Sequence, residues 1–459
     1  MRSPSAHLAL DDGRPCPEPS LVPGSPSAAG IRAAATAPAH GMLALALAGL
    51  CAFLNVFATQ PLLPLLGSAF GVSNAAAALT VSAPAIAVAL AAPFAGALAD
   101  RFGRRRVMVS SLFALALPTL LAASSGGVAA LIAWRFAQGI AVAGVYAVGI
   151  AYAGTAWRGG DVGRAAAALV TGNVLGGFLG RAVSGTVAEL AGWRTSFVAL
   201  ALLTAAGAEL TRRFLPGGEP SPGSTADPAR PRSCLSTGGL EGGEAHPPGP
   251  APVAGAWAAL GALPAQLRDV RLASTFAAGF NVLFGQVAMF TYVTFHLAAP
   301  PFRLGAAALS AIFVVYLAGA AVTPIAGGWI GRIGARRTLA GALLAAIAGC
   351  GLTLAPAVGG VVAGLALCAS AAFVAQSAAA SHLNEVAPAR LRSVAAGAYL
   401  SCYYLGGAAG GILPAAAWHL GGWPACVALV AAVHLATLAL AWRFWRREPA
   451  AAVGRVAVA

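Results

Sequence analysis

Gly96-Ala97-Leu98-Ala99-Asp100-Arg101-Phe102-Gly103-Arg104-Arg105-Arg106 is the most informative stretch of this sequence. It packs four arginines and an aspartate between two long apolar runs. The pattern returns as Gly327-Gly328-Trp329-Ile330-Gly331-Arg332-Ile333-Gly334-Ala335-Arg336, at an offset of 231 residues. A second pair keeps nearly the same spacing. Gly176, Gly177, Gly180, Gly192 and Trp193 match Gly406, Gly407, Gly410, Gly422 and Trp423 at an offset of 230. Two motif pairs at nearly one spacing mark an internal duplication, and a polar hinge between apolar runs places each copy at the end of a membrane span.

Working outward, the 459 residues are 59% hydrophobic and 9% charged, with a mean hydropathy of +0.79. A soluble domain carries about 25% charged residues, so a soluble enzyme is excluded, and the apolar content excludes a disordered chain. About twelve apolar runs approach the roughly 20 residues that cross a bilayer. They cover 42–66, 75–99, 107–124, 128–152, 165–190, 195–214, 272–297, 305–331, 338–357, 359–381, 393–418 and 424–445. The expected fold is therefore all-α membrane, with twelve transmembrane helices in two pseudo-symmetric six-helix bundles.

The expected organisation has a disordered cytoplasmic tail at 1–40 and an N-terminal bundle at 41–214. A Pro/Gly/Ser-rich cytoplasmic linker at 215–270 precedes a C-terminal bundle at 271–446 and a short tail at 447–459. The net charge of +14 comes entirely from arginine, with no lysine. The arginines gather in alternate loops: after span two, between four and five, around the linker, after eight, between ten and eleven, and after twelve. The opposite loops hold little beyond Arg194 and Arg303. Positive residues stay on the cytoplasmic side, so both termini are expected there. The basic balance thus reflects membrane topology, with no nucleic-acid partner implied. The seven cysteines are scattered, mostly inside apolar runs, without metal-ligand spacing. No Walker A pattern is present, and the few acids are dispersed. No cofactor, metal or enzymatic activity is expected.

These motifs resemble the major facilitator superfamily over nearly the whole chain outside the tail and linker. Gly96 to Arg106 is similar to that family's loop motif after span two. Arg135-Phe136-Ala137-Gln138-Gly139 resembles its span-four motif. Asn55-Val-Phe-Ala-Thr-Gln60-Pro-Leu-Leu-Pro resembles the first span of YnfM-type bacterial inner-membrane efflux permeases of the drug:proton antiporter branch. The resemblance implies a monomeric secondary transporter of the bacterial plasma membrane, moving a small molecule by alternating access, with proton-coupled efflux as the expected mode. It also implies a gate at Gly96, Asp100, Arg101, Gly103, Arg104 and Arg105, with the Asp100 carboxylate docking at a helix N-terminus of the other half. The antiporter motif's proline is absent from span five, where Arg181 follows Gly180.

Arg135 and Arg181 are the two arginines well inside spans. Charge at that depth is costly and is usually paired or functional. Both fall about 10–14 Å below the outer surface at 1.5 Å per residue. Their convergence on a carboxylate or phosphate would make the chain an importer or exchanger of small organic anions; the competing reading is structural bonding within the bundle. Asn55, Gln60, Gln138, Asn173, Asn281, Gln286 and Gln376 are further substrate or coupling candidates, because polar groups within a bilayer must find partners. The alternative for each is an interhelical hydrogen bond. Gly172, Gly176, Gly180 and Ser184 form a small-residue stripe expected to pack closely against another helix. A sensor that kept this fold without turnover is the remaining alternative.

Overall fold

The computed structural model describes residues 28–157, 160–216, 266–388 and 392–445. The tail expected at 447–459, most of the linker expected at 215–270 and residues 1–27 lie outside the described residues. In the first half, α1 (Ala28–Val56) begins inside the segment read as a tail. A 3-10 turn at Gln60–Leu62 and α2 (Leu63–Phe70) follow, then α3 (Asn74–Phe102), α4 (Arg104–Ala122), α5 (Val128–Ala156), α6 (Gly160–Ala191) and α7 (Trp193–Phe214). The second half holds α8 (Val270–Ala298), α9 (Ala306–Ile312), α10 (Val315–Ile333), α11 (Ala335–Leu352), α12 (Val358–Val386), α13 (Arg392–Ile412) and α14 (Pro414–Phe444).

Ten segments are long and apolar enough to cross a membrane by length and composition, with α1–α2 and α9–α10 each counted as one. The other two, α7 and α13, are 22 and 21 residues long and complete the twelvefold pattern. Leucines such as Leu90, Leu202 and Leu344 remain more than half exposed, as lipid-facing side chains do.

The duplicated glycines have a backbone cause. Gly103 and Gly334 adopt φ of 89° and 84°, and each turns the chain from one span directly into the next. Gly192 and Gly422 form the second matched pair at φ of 87° and 61°. Only glycine visits this region without a Cβ penalty. Gly96 differs: it lies within α3 and needs no positive φ.

Prolines account for the departures from the expected spans. The first run breaks at the 3-10 turn containing Pro61, which sets Gln60 at a bend rather than along a straight helix. The run expected over 393–418 stops at Ile412, because Pro414 has no N–H to continue the ladder and starts a new helix.

Small residues set the packing inside each half. A Cβ on Gly172, Gly176 or Gly180 would overlap the carbonyls of Ala46, Leu50 and Leu54, so α6 lies directly against α1. Gly406 and Gly410 press likewise on Phe280 and Phe284, joining α13 to α8. Close backbone approach of this kind is the usual basis of helix association in lipid.

Between the halves, contacts gather toward the Arg-poor end. Glu189 Oε2 accepts the Ala307 N–H at 3.0 Å. A Cβ on Gly185 would strike Ala306 and Ser310. Gln60 donates to Thr291 Oγ1 at 3.1 Å, and Ser82 donates to the Ala408 carbonyl at 2.9 Å. At the Arg-rich end, Gly96, Gly327, Gly328 and Gly331 face open space.

Candidate functional site

A cavity of about 690 Å³ lies between the two halves. It extends from Arg181 down the exposed face of α6, past Thr171 and Val170 to Ala167, toward the Arg-rich end. Ser377 and Ala380 of α12 and Thr323 of α10 line the opposite wall. Volume and apolar lining fall in the range of small-molecule sites, about 300–1,000 Å³.

Aromatic rings dominate the wall near Arg181. Phe57, Tyr146, Tyr316, Phe373, Tyr403 and Tyr404 all reach the cavity. Sequence reasoning missed Phe57, Tyr146, Tyr316, Phe373 and Tyr404. A signal was available: Tyr146, Tyr316 and Tyr404 lie well inside spans, whereas membrane tyrosines favour the two interfaces.

Arg181 is 3% exposed and sits at the closed top of the cavity. Its Nε donates to Gln60 Oε1 at 2.7 Å and its Nη1 to the Gly177 carbonyl at 2.6 Å. The guanidinium carbon lies 4.5–4.9 Å from the ring centres of Phe57, Phe313 and Tyr316. Phe57 belongs to the first half, and the other two rings to the second. Ring quadrupoles offset part of the cost of a buried cation. Among the described residues, Arg181 joins no ion pair.

Arg135 does not share this cavity, so the expected convergence of two arginines is corrected. It is fully buried and spends its fork on the protein itself. Nε donates to the Thr80 carbonyl at 2.9 Å, Nη1 to the Asn55 carbonyl at 2.6 Å, and Nη2 to the Val56 carbonyl. Nη1 also donates to Gln138 Oε1. Gln138 donates to Thr119 Oγ1 at 3.0 Å, Thr119 to Asn55 Oδ1 at 3.0 Å, and Asn55 to Thr204 Oγ1 at 2.9 Å. Arg135, Gln138 and Asn55 are thus members of one buried network within the first half, away from the cavity lining. The break after α1 explains the geometry: it frees the Val56 carbonyl and leaves that of Asn55 only a 3.4 Å turn bond from the Ala58 N–H, and a planar guanidinium is suited to collecting several acceptors at once.

The remaining candidates divide similarly. Asn173, Gln286 and Gln376 line the cavity. The Asn173 amide, with its nitrogen toward α1, donates to the Gly49 and Leu169 carbonyls at 3.2 Å. Gln60 is fully buried, bridging Arg181 and Thr291. Asn281 faces away from the cavity and donates to Thr437 Oγ1 at 2.8 Å, tying α8 to α14.

The hinge residues form a separate cluster at the Arg-rich end. Asp100 pairs with Arg104 at 3.4 Å, both partly exposed. Arg104 also donates to the Ala151 carbonyl at 3.1 Å, and Arg105 to the carbonyls of Leu215 and Arg212 at 3.0 and 2.7 Å. The Arg101 guanidinium lies over the ring of its neighbour Phe102. Each of these contacts stays within the first half.

A sequence profile of the Major Facilitator Superfamily matches residues 45–411, with an overlapping match over 302–457. The chain belongs to that family and is a secondary transporter of its fold. It is 28% identical to the inner membrane transport protein YnfM of Escherichia coli (strain K12) over 405 residues, covering 88% of this chain and 90% of the relative. It is also 28% identical to the uncharacterized MFS-type transporter YybF of Bacillus subtilis (strain 168) over 391 residues, covering 85% and 90%. Among solved structures, a bacterial homolog of the human lysosomal transporter Spinster, inward-facing and occupied, shares the fold. Its TM-score is 0.67 at 16% identity, covering 90% of this chain and 99% of that one.

Proposed function

We propose that the chain is an export permease of the bacterial inner membrane. It loads a small amphipathic organic solute from the cytoplasm and releases it on the other side by alternating access. One observation carries this reading: the cavity between the halves is closed at the Arg-poor end by cross-half contacts and extends toward the Arg-rich end. The charge rule assigns the Arg-rich end to the cytoplasm, so the cavity faces the side from which an exporter would load its solute. The aromatic lining suits a solute with an apolar body.

Glu189 and Gly185 at the far end and Gly177, Val174 and Ala167 along the cavity all belong to α6. Rocking one half against the other would therefore open one end as the other closes. Gly96, Asp100, Arg101, Gly103, Arg104 and Arg105 would form the closing surface at the cytoplasmic end. The resemblance to proton antiporters supports a proton gradient as the driving force.

The test uses the purified chain in liposomes. Solute counterflow is measured with and without an imposed pH difference. Counterflow that accelerates with the pH difference is the expected result. Counterflow indifferent to it would remove proton coupling and leave an exchanger. Ligand binding without any counterflow would favour the non-transporting sensor.

A further inference from the structure

We infer that the cavity's solute is a monocarboxylate with an apolar or aromatic body, and that its carboxylate docks on Arg181. This rests on the proposed transport function and names its substrate class.

Arg181 is 3% exposed, deep in a membrane span, and has no carboxylate partner among the described residues. A buried charge is ordinarily paired or neutralised. Here its protein partners are a neutral amide, a backbone carbonyl and three ring faces. Those contacts use Nε and Nη1, while Nη2 has no hydrogen-bond acceptor among the described residues. Arg135, at similar depth, is the internal contrast: every nitrogen of its guanidinium reaches a protein acceptor. The bilayer therefore does not by itself leave an arginine unfilled. Arg181 differs because it borders a cavity large enough for a solute.

The same arrangement sets the ligand's charge and shape. One open guanidinium edge suits one carboxylate, since charge-assisted bonds of this kind are the strong ones. A cation in the same space would meet a fixed positive charge with no acidic side chain on the cavity wall to offset it. The rings of Phe57, Tyr146, Tyr316 and Tyr404 leave room for an apolar body below the head group.

Gln60 gives the assignment a second role. It accepts from Arg181 and donates to Thr291 of the other half. A carboxylate that draws Arg181 away from Gln60 would loosen one of the contacts holding the far end shut. Anion binding and opening of that end would then be coupled through two side chains.

Three probes with one body and different heads test this: 4-phenylbutyrate, 4-phenylbutanamide and 4-phenylbutylamine. Each is titrated against the purified full chain by thermal shift and isothermal calorimetry, then tested for exchange in liposomes. The carboxylate is expected to bind at least tenfold more tightly than the amide, with no binding of the amine. Arg181→Gln should abolish that preference. Because Arg181→Gln also removes the bond to Gln60, Gln60→Glu provides the second variant. It presents Arg181 with an internal carboxylate and reverses the Thr291 bond, the hydroxyl now donating, so carboxylate binding should fall at least tenfold in a protein that still folds.

Equal binding of amide or amine, binding by none of the three, or full carboxylate affinity in Gln60→Glu would each overturn the inference. Exchange of the amide or amine without the carboxylate would reject the substrate class and leave the transport reading standing. Carboxylate binding that depends on Arg181 without exchange would keep the site and reject transport.

Discussion

Glu189 Oε2, on the first-half helix α6, lies 3.0 Å from the Ala307 backbone nitrogen of the second half and accepts its N–H. The carboxylate also lies against Gly305, where a Cβ would collide with it. This is the arrangement expected of Asp100, a carboxylate docked on a backbone N–H at the start of a helix in the other half. It occurs at the opposite end of the molecule.

Removing that contact should favour opening of the Arg-poor end. Loss of a capping acceptor costs about 0.5–2 kcal/mol, so Glu189→Ala should shift the balance of end states severalfold. Spin labels at the exposed positions Ser68 and Arg303 report it. Their distance distribution should gain a longer component in Glu189→Ala and less of it in Glu189→Gln, which retains an acceptor. An unchanged distribution would show that Glu189 does not hold the halves together.

Arg135 should behave as a structural residue. Its removal leaves the Val56 carbonyl bare and takes the shorter bond from those of Thr80 and Asn55, and a buried acceptor left bare costs roughly 1–3 kcal/mol. Arg135→Gln should lower the melting temperature and the yield of monodisperse protein. Arg135→Lys should be intermediate, because an ammonium cannot collect the same fork of acceptors. Wild-type stability with lost ligand binding would instead place Arg135 in the substrate path.

Two glycines should separate assembly from movement. At Gly176 any side chain meets the Leu50 backbone, so Gly176→Val should prevent α1 and α6 from packing. Gly96 faces open space, so Gly96→Leu should leave the melting temperature nearly unchanged, within about 0.5 kcal/mol of stability. If the Arg-rich end must close in each cycle, Gly96→Leu should still bind ligand and lose at least tenfold in exchange rate. Normal exchange would remove Gly96 from the closing surface.

Asp100 invites a similar split. Its pair with Arg104 is partly exposed, and such pairs contribute under about 1 kcal/mol. Asp100→Asn should therefore melt like the parent protein. A gate role predicts slower exchange with unchanged ligand affinity, measured by counterflow and calorimetry on the same preparation. Parallel loss of both would argue for a different role.

Much of the fold was legible in the chain because lipid imposes simple rules. Runs of about 20 apolar residues must be helices there, since every backbone group needs an internal partner. The duplicated glycines were legible for a related reason: Gly103 with Gly334, and Gly192 with Gly422, occupy backbone conformations that side chains resist. The stripe at Gly172, Gly176 and Gly180 announced a close helix contact for which only glycine leaves room. The site was legible only in part. Arg181, Asn173, Gln286 and Gln376 were marked by polarity within apolar runs, and they reach the cavity.

The sequence by itself determined that this protein spans a membrane as two repeated helical halves, because hydropathy and φ restrictions act locally. The tertiary structure alone decided what the two buried arginines do. Depth and residue type are the same for Arg135 and Arg181, so a linear reading treats them alike. The bend after α1 turns the Asn55 and Val56 carbonyls to Arg135 and helps saturate it, while α6 turns Arg181 toward the space between the halves and leaves one edge open. Their difference lies in which acceptors the folded chain brings within about 3 Å, a distance that spacing along the sequence does not encode.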